Sequence, residues 1–423
     1  MSGGRSGRPG VLVVGAGLAG LTCAADLARA GVRVRVLEAS DAVGGRMRTD
    51  RRDGFLVDRG FQVFNTSYPQ VKRRLDRAAL RLRPFTPGAL VHPSGGGDPV
   101  RLADPTRRPA EAAGMLTGRG TSPLGRVTPL GLAALGALTA FDALAPARAL
   151  KRIPERTTLQ ELSRWGVDDA LLDGFLRPFL SGVFLDDALE TSSRMFHLTW
   201  RSLIRGSLTL PSAGIGAVPA QLAGTLPPDC VEFGAPVAAV TGTGVALADG
   251  TWRDAEAVVV ATDTDSASTL VPALGRTATR TVTTYYHASP HSPLGEPTLL
   301  LDAEQRFLNS CVLTEVAPEY SSDGRALVST SVLGRDVPGR EAPLRAVLSE
   351  AYGADAGGWQ LVAAVTVPGA LPAMVPPWPL SRTSRFGDGL YVCGDHRATG
   401  SVQGAMASGT RAARELLTDR AAR

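Results

Sequence analysis

Lysine is almost missing from this chain. Lys72 and Lys151 are the only two in 423 residues, and arginine carries nearly all the positive charge. Aromatic residues are scarce too, at 5%. A nucleic-acid surface calls for a basic stripe interleaved with aromatic side chains, and the sequence has none, so nucleic acid is not an expected partner. Net charge is a modest +5, and the arginine bias reads as the base composition of the source genome. The four cysteines, at positions 23, 230, 311 and 393, fit neither a metal-site nor a disulfide spacing. They suit a reducing compartment, and the expected location is cytoplasmic. Long apolar runs are missing as well. The most hydrophobic stretch, residues 130–150, is interrupted by Asp142 and Pro146 and is too short to cross a bilayer. It reads either as a helix of a substrate domain or as an entrance that dips into a membrane, so peripheral membrane association stays open. The opening MSGGRSGRPG reads as a short flexible lead. The apolar run after it reads as a strand rather than a signal peptide, because glycines interrupt it.

What is present is concentrated at the two ends. Hydrophobic residues make up 44% of the chain, enough for a large core and two domains of ordinary size. Val11 to Val14 is a short buried-strand pattern, followed at once by Gly15, Gly17 and Gly20 in the G-x-G-x-x-G spacing. Leu18, Leu21, Ala25 and Leu27 recur at helical spacing, and Gly31 stands where a helix would end. Val32, Val34 and Val36 then alternate as a second strand that ends at Glu38. The glycines permit a tight turn, a close approach of a pyrophosphate and close helix–strand packing. The turn containing Ala16, Leu18 and Ala19 offers free N–H groups and the positive end of a helix dipole. Glu38 lies 18 residues past Gly20, where an acid would meet a ribose 2′-hydroxyl and repel a 2′-phosphate. Ala39 follows it in the same site.

The middle of the chain is less specific. Asp53-Gly54 signals a hairpin turn before a short strand at Phe55 to Val57. Residues 70–83 are expected to be helical, with Arg73, Arg77 and Arg81 on one face. That stripe suits solvent, or an anionic lipid or acidic partner. Proline, glycine and arginine dominate residues 84–129. Helices are expected through 157–205, at Thr158 to Trp165 and Asp169 to Phe179, with Arg177 and Pro178 shaping the fold. From Pro211 the pattern turns back to short strands, at Val231 to Phe233, Val237 to Val240 and Ala257 to Ala261, with a hairpin between at Asp249-Gly250. Only Gly214 and Gly216 match a glycine fingerprint there, so no second dinucleotide site is expected. Strands at Val282 to His287, Thr298 to Leu301 and Ala326 to Leu333 and a helix at Pro343 to Tyr352 complete this part. Pro290 between His287 and His291 speaks against a shared helix face, so no metal site is expected. Near the C-terminus, Leu390 to Cys393 reads as a strand closed by Gly394-Asp395, and Ser401 as the N-cap of a last helix.

Gly44-Gly45-Arg46, completed by Thr49, and the closing G-D…G-S-x-x-G-A-x-x-S-G run from Gly394 resemble the flavin amine oxidase and phytoene desaturase superfamily. Both ends match strongly, residues 210–262 moderately, and the rest weakly. The resemblance implies an FAD-binding Rossmann-like α/β domain of the glutathione-reductase type, interleaved with a mixed α+β substrate-binding domain. The expected division is 1–80, 210–275 and 375–423 for FAD, and 81–209 and 276–374 for substrate. It also implies that Arg46 lends charge to the pyrophosphate and that the Asp58-Arg59-Gly60-Phe61-Gln62 stretch runs beneath the flavin, with Gly60, Phe61 and Gln62 closest to it. Phe61 and Gln62 read equally well as a core phenylalanine and a surface glutamine. Val237 would touch the adenine through its backbone. Asp395 would take a ribityl hydroxyl or lie beside the pyrophosphate. The helix starting at Ser401 and Val402 would aim its positive end at the flavin N1 edge.

Two departures favour a desaturase-like enzyme over an amine oxidase. Neither lysine falls in the segment where amine oxidases keep one near flavin N5, and Ser401 stands where a cage aromatic is expected. The expected activity is transfer of a hydride from a C–H bond of a small apolar substrate to FAD, with oxygen, a quinone or another acceptor completing turnover. Amine oxidation, a non-redox flavin isomerase and a flavin-free binding module are the competing readings. No general acid or base stands out; Gln62, Tyr285 and His396 are the candidates.

Overall fold

The computed structural model describes residues 10–103, 107 and 127–422. The expected flexible lead, apart from Gly10, and much of the proline- and arginine-rich stretch fall outside those residues. Val11–Val14 is wholly buried and forms the middle of a six-stranded sheet. The spatial order is Val231–Glu232, Val34–Leu37, Val11–Val14, Ala257–Val260, Leu390–Val392 and Arg385–Gly387. The first five strands run parallel and the last antiparallel. Such a sheet needs both faces covered. Helices Leu18–Arg29 and Val402–Ala421 pack together on one face, with Leu21, Leu27, Met406 and Leu416 in a shared core. The chain leaves Val11–Val14 for Val34–Leu37 on one side and reaches Ala257–Val260 on the other. That divergence opens a crevice at the C-terminal ends of the strands, where ligands of such sheets bind.

A seven-stranded sheet lies apart from the first. Its order is Gln360–Pro372, Thr279–Ser289, Ala326–Leu333, Asn309–Val312, Leu300–Asp302, Gly88–His92 and Val100–Ala103. Helix Glu341–Tyr352 covers one face through Leu344 and Leu348, against Tyr285, Val328 and Val332. Helices Pro129–Leu144, Thr158–Trp165, Arg177–Phe184 and Ser193–Arg205 form a lobe with its own core, including Leu138, Leu162, Leu180 and Phe196. Thr157 starts the second of these with a capping box to Gln160, and Gly166 ends it at φ 84°.

Two expectations from sequence need correction. The helix expected over 70–83 spans only Pro69–Arg74. Arg74 is drawn to Asp26 at 2.6 and 2.9 Å, Asp76 accepts from the N–H groups of Ala78 and Ala79, and Leu82–Pro84 joins a small sheet. Arg77 and Arg81 therefore share no helical face with Arg73. The apolar stretch forms the expected helix, Pro129–Leu144, and Asp142, which interrupts the apolar run, lies inside it, fully buried against His197. The second strand starts at Val34 rather than Val32.

Candidate cofactor and active site

The glycine turn leaves the sheet under tight steric control. A Cβ on Gly20 would lie 2.0 Å from the Gly15 carbonyl oxygen, so only glycine lets the helix start this close to the strand. A Cβ on Gly17 would meet nothing within 4 Å. The backbone is open there, above the first turn of helix Leu18–Arg29, as a phosphate cradle requires.

Glu38 reaches this turn from the end of the second strand. Its Oε2 accepts the Ala16 N–H at 2.7 Å, and its Oε1 accepts from the Ser40 N–H at 3.0 Å and the Ser40 hydroxyl at 2.7 Å. Ala39 lies between these anchors. The Glu38 carbonyl accepts the Ala235 N–H at 2.9 Å, which brings the strand beginning at Val237 alongside. The Gly44 N–H donates to the Ala16 carbonyl at 2.9 Å and holds the Gly44-Gly45-Arg46 loop against the turn.

Arg46 joins three distant parts of the chain. Its Nη2 lies 2.8 Å from Asp395 Oδ2, and its Nη1 donates to the carbonyls of Ala370 at 2.7 Å and Gly369 at 3.2 Å. The facing Asp395 carboxylate raises the guanidinium pKa against the opposing effect of burial. Asp395 is followed by His396, which is 1% exposed and has both ring nitrogens buried without a hydrogen-bond partner. Burial pulls its pKa down to about 4, so the ring is neutral at pH 7. A neutral imidazole with two unspent nitrogens suits a site built for a polar cofactor. Ser401 accepts the Gly404 N–H at 3.1 Å and caps the twenty-residue helix that begins at Val402.

Gln62 donates to the Arg46 carbonyl at 2.8 Å, and the Phe61 N–H donates to Thr284 Oγ1 at 3.2 Å. Gly60 sits over Val367, whose Cγ2 would be 3.0 Å from an added Cβ. The loop therefore lies between the crevice and the seven-stranded sheet. The face it meets carries Val282, Leu333 and Val367 in one apolar group and Thr284, Ser331 and Asn309 in the next row. Thr284 and Ser331 hydrogen-bond at 3.0 Å. Phe175 and Phe179, stacked at 5.6 Å, pack with Phe61 and Val63 around the neighbouring core. Strand alternation puts Tyr285 on the opposite face from Thr284. Its hydroxyl bonds Asp336 and its ring joins the core under helix Glu341–Tyr352, so it is not at this crevice. Gln62 and His396 remain near Arg46.

Asp58, expected from sequence only as the first residue of this loop, anchors it. Asp58 is buried and accepts from Thr49 Oγ1 at 2.5 Å, the Ile215 N–H at 3.0 Å and Tyr320 Oη at 2.8 Å. Burial pushes its carboxyl up to about 6, partly offset by those three donors. Thr284 and Asn309 were passed over; period-2 alternation was their only signal. Among the described residues no group of His, Cys, Asp and Glu could hold a metal ion.

A parallel sheet, a glycine turn opposed by a carboxylate, and a closing strand–helix unit on the same crevice define a dinucleotide-binding fold. The chain belongs to the flavin-containing amine oxidoreductase family, whose profile matches residues 18–417. Its fold is similar to cyclohexylamine oxidase from Brevibacterium oxydans, at 17% identity over 97% of this chain and 99% of that one, with a TM-score of 0.70. It is similar also to a putative protoporphyrinogen oxidase from Exiguobacterium, at 16% identity over 98% and 100%, with a TM-score of 0.69. Likeness at these identities establishes the fold alone. The L-amino-acid oxidase of Crotalus adamanteus is 42% identical over 76 residues, which is 18% of this chain and only 15% of that protein.

Proposed function

We propose that the chain dehydrogenates a small, largely apolar substrate. FAD, when bound, supplies the hydride acceptor. Gly15, Ala16, Gly17, Leu18, Ala19 and Gly20 hold the pyrophosphate with Gly44, Gly45 and Arg46. Glu38 and Ala39 hold the adenosine ribose, and Val237 meets the adenine. Asp395, Ser401 and Val402 close over the ribityl chain and flavin. Segments 1–80, 210–275 and 375–423 serve the cofactor; 81–209 and 276–374 serve the substrate.

The observation that carries this reading is the wall opposite Gly60, Phe61 and Gln62. The rows Val282–Leu333–Val367 and Thr284–Ser331–Asn309 bear no charged side chain. Both lysines are exposed elsewhere, on helix Pro69–Arg74 and after Leu150. Such a wall excludes water and holds an apolar substrate, and hydroxyl groups orient its few polar atoms. It offers no carboxylate to receive an ammonium group.

The test is anaerobic mixing of the FAD-loaded protein with a panel of cyclic alkenes, hydroaromatic compounds, primary amines and L-amino acids, read as bleaching of flavin absorbance. Apolar C–H donors should bleach it. Bleaching by the amines or amino acids alone would replace the proposal with amine oxidation.

A further inference from the structure

Helix Pro129–Leu144 is apolar on its outside. Leu130, Phe141 and Leu144 are 75%, 37% and 83% exposed. Ala133, Ala137 and Ala140 are exposed between them. Steps of three and four residues place all six on one stripe. The single charged residue of the helix, Asp142, points inward: it is 0% exposed, and its Oδ1 lies 2.7 Å from His197 Nδ1. A helix at a water boundary has the reverse arrangement. The seat is rigid. Leu138 is fully buried, Trp200 Nε1 donates to Thr139 at 3.1 Å, and the Phe141 ring lies 5.5 Å from that of Trp165.

Positive charge gathers at the C-terminal end of the stripe. Arg148, Lys151 and Arg152 are exposed, and no acidic side chain among the described residues pairs with them. Arg201 donates to the carbonyls of Asp142 and Ala143 at 2.7 and 2.9 Å, and the exposed Arg205 lies beside the latter carbonyl. Asp168, at the opposite end, is committed to capping Leu171 and Thr128.

We propose that this face rests on an anionic lipid bilayer. Leu130, Phe141 and Leu144 enter the acyl boundary, and Arg148, Lys151 and Arg152 meet the lipid phosphates. The sign of the rim selects an anionic surface. No described helix is long and apolar enough to cross a membrane, so this sixteen-residue helix lies in the interface plane. The inference goes beyond the proposed dehydrogenation and does not depend on it.

The test is co-sedimentation of the full-length, FAD-loaded protein with vesicles of phosphatidylcholine alone or with about one-third phosphatidylglycerol. Wild type should pellet with the anionic vesicles, and less as salt rises. The triple change Arg148→Gln, Lys151→Gln, Arg152→Gln should lower the partition coefficient more than about tenfold. The double change Leu130→Ser, Leu144→Ser should abolish binding while flavin content and thermal midpoint stay at wild type. Wild type remaining in the supernatant with both vesicles overturns the proposal, as does equal binding by all variants. So does a wild-type dimer that the leucine variant dissociates, because a second copy would then cover the stripe.

Discussion

Replacing Asp58 with asparagine should remove a pH dependence that wild type must show. The carboxyl lies beneath the loop that carries Gly60 to Gln62, with donors from Thr49, Ile215 and Tyr320. Burial raises its pKa from 3.8 to about 6. The folded state therefore binds a proton that the unfolded chain releases between those values. Stability is fully present below pH 3.8 and is lost as pH rises through about 6. A gap of about two pH units is worth about 3 kcal/mol, an upper figure because the three donors can tighten on the charged form. Asparagine is neutral throughout. Its carbonyl can accept from Thr49 and Ile215, and its amide can donate to Tyr320 Oη. The wild-type minus variant difference in unfolding free energy should thus fall by about 2–3 kcal/mol from pH 4 to pH 7. Urea unfolding of both proteins across that range, followed by circular dichroism, measures it. Parallel curves would mean that Asp58 is ionised at no cost in the fold, and the desolvation argument would fail.

Two further predictions concern the cofactor. Glu38→Ala removes acceptors for Ala16 and Ser40 as well as a ribose partner, so FAD affinity should drop by roughly 1–3 kcal/mol; an unchanged dissociation constant in flavin titrations would take Glu38 out of the site. Ser401→Asp keeps an N-cap but adds negative charge where reduced flavin becomes anionic, so the flavin reduction potential should fall below that of Ser401→Ala. Equal potentials in dye-coupled titrations would show that the helix does not face the ring.

The amino-acid order alone determined features that close over a few residues. The Asp53-Gly54 turn needs two left-handed residues in succession, and the structure has φ of 48° and 85° there. The strand at Val11–Val14, the glycine turn, the cap at Ser401 and the strand at Ala326–Leu333 are equally local, set by spacing and side-chain shape. Tertiary structure decided whatever depends on a distant partner. Periodicity continues a helix past Arg74, but Asp26, 48 residues earlier, captures that arginine and the chain turns away. Asp142 interrupts an apolar run in the sequence, yet His197, 55 residues later, pairs with it inside the core. Alternation shows that Tyr285 and Thr284 face opposite ways, yet which face meets the crevice follows only from Phe61, 223 residues away, donating to Thr284. The loop starting at Asp58 is legible in the sequence, but the burial of its carboxyl is not, because the donors Ile215 and Tyr320 lie 157 and 262 residues away. Local propensity is a few tenths of a kcal/mol per residue, whereas a buried charge or unpaired donor costs several times more, so these distant pairings prevail.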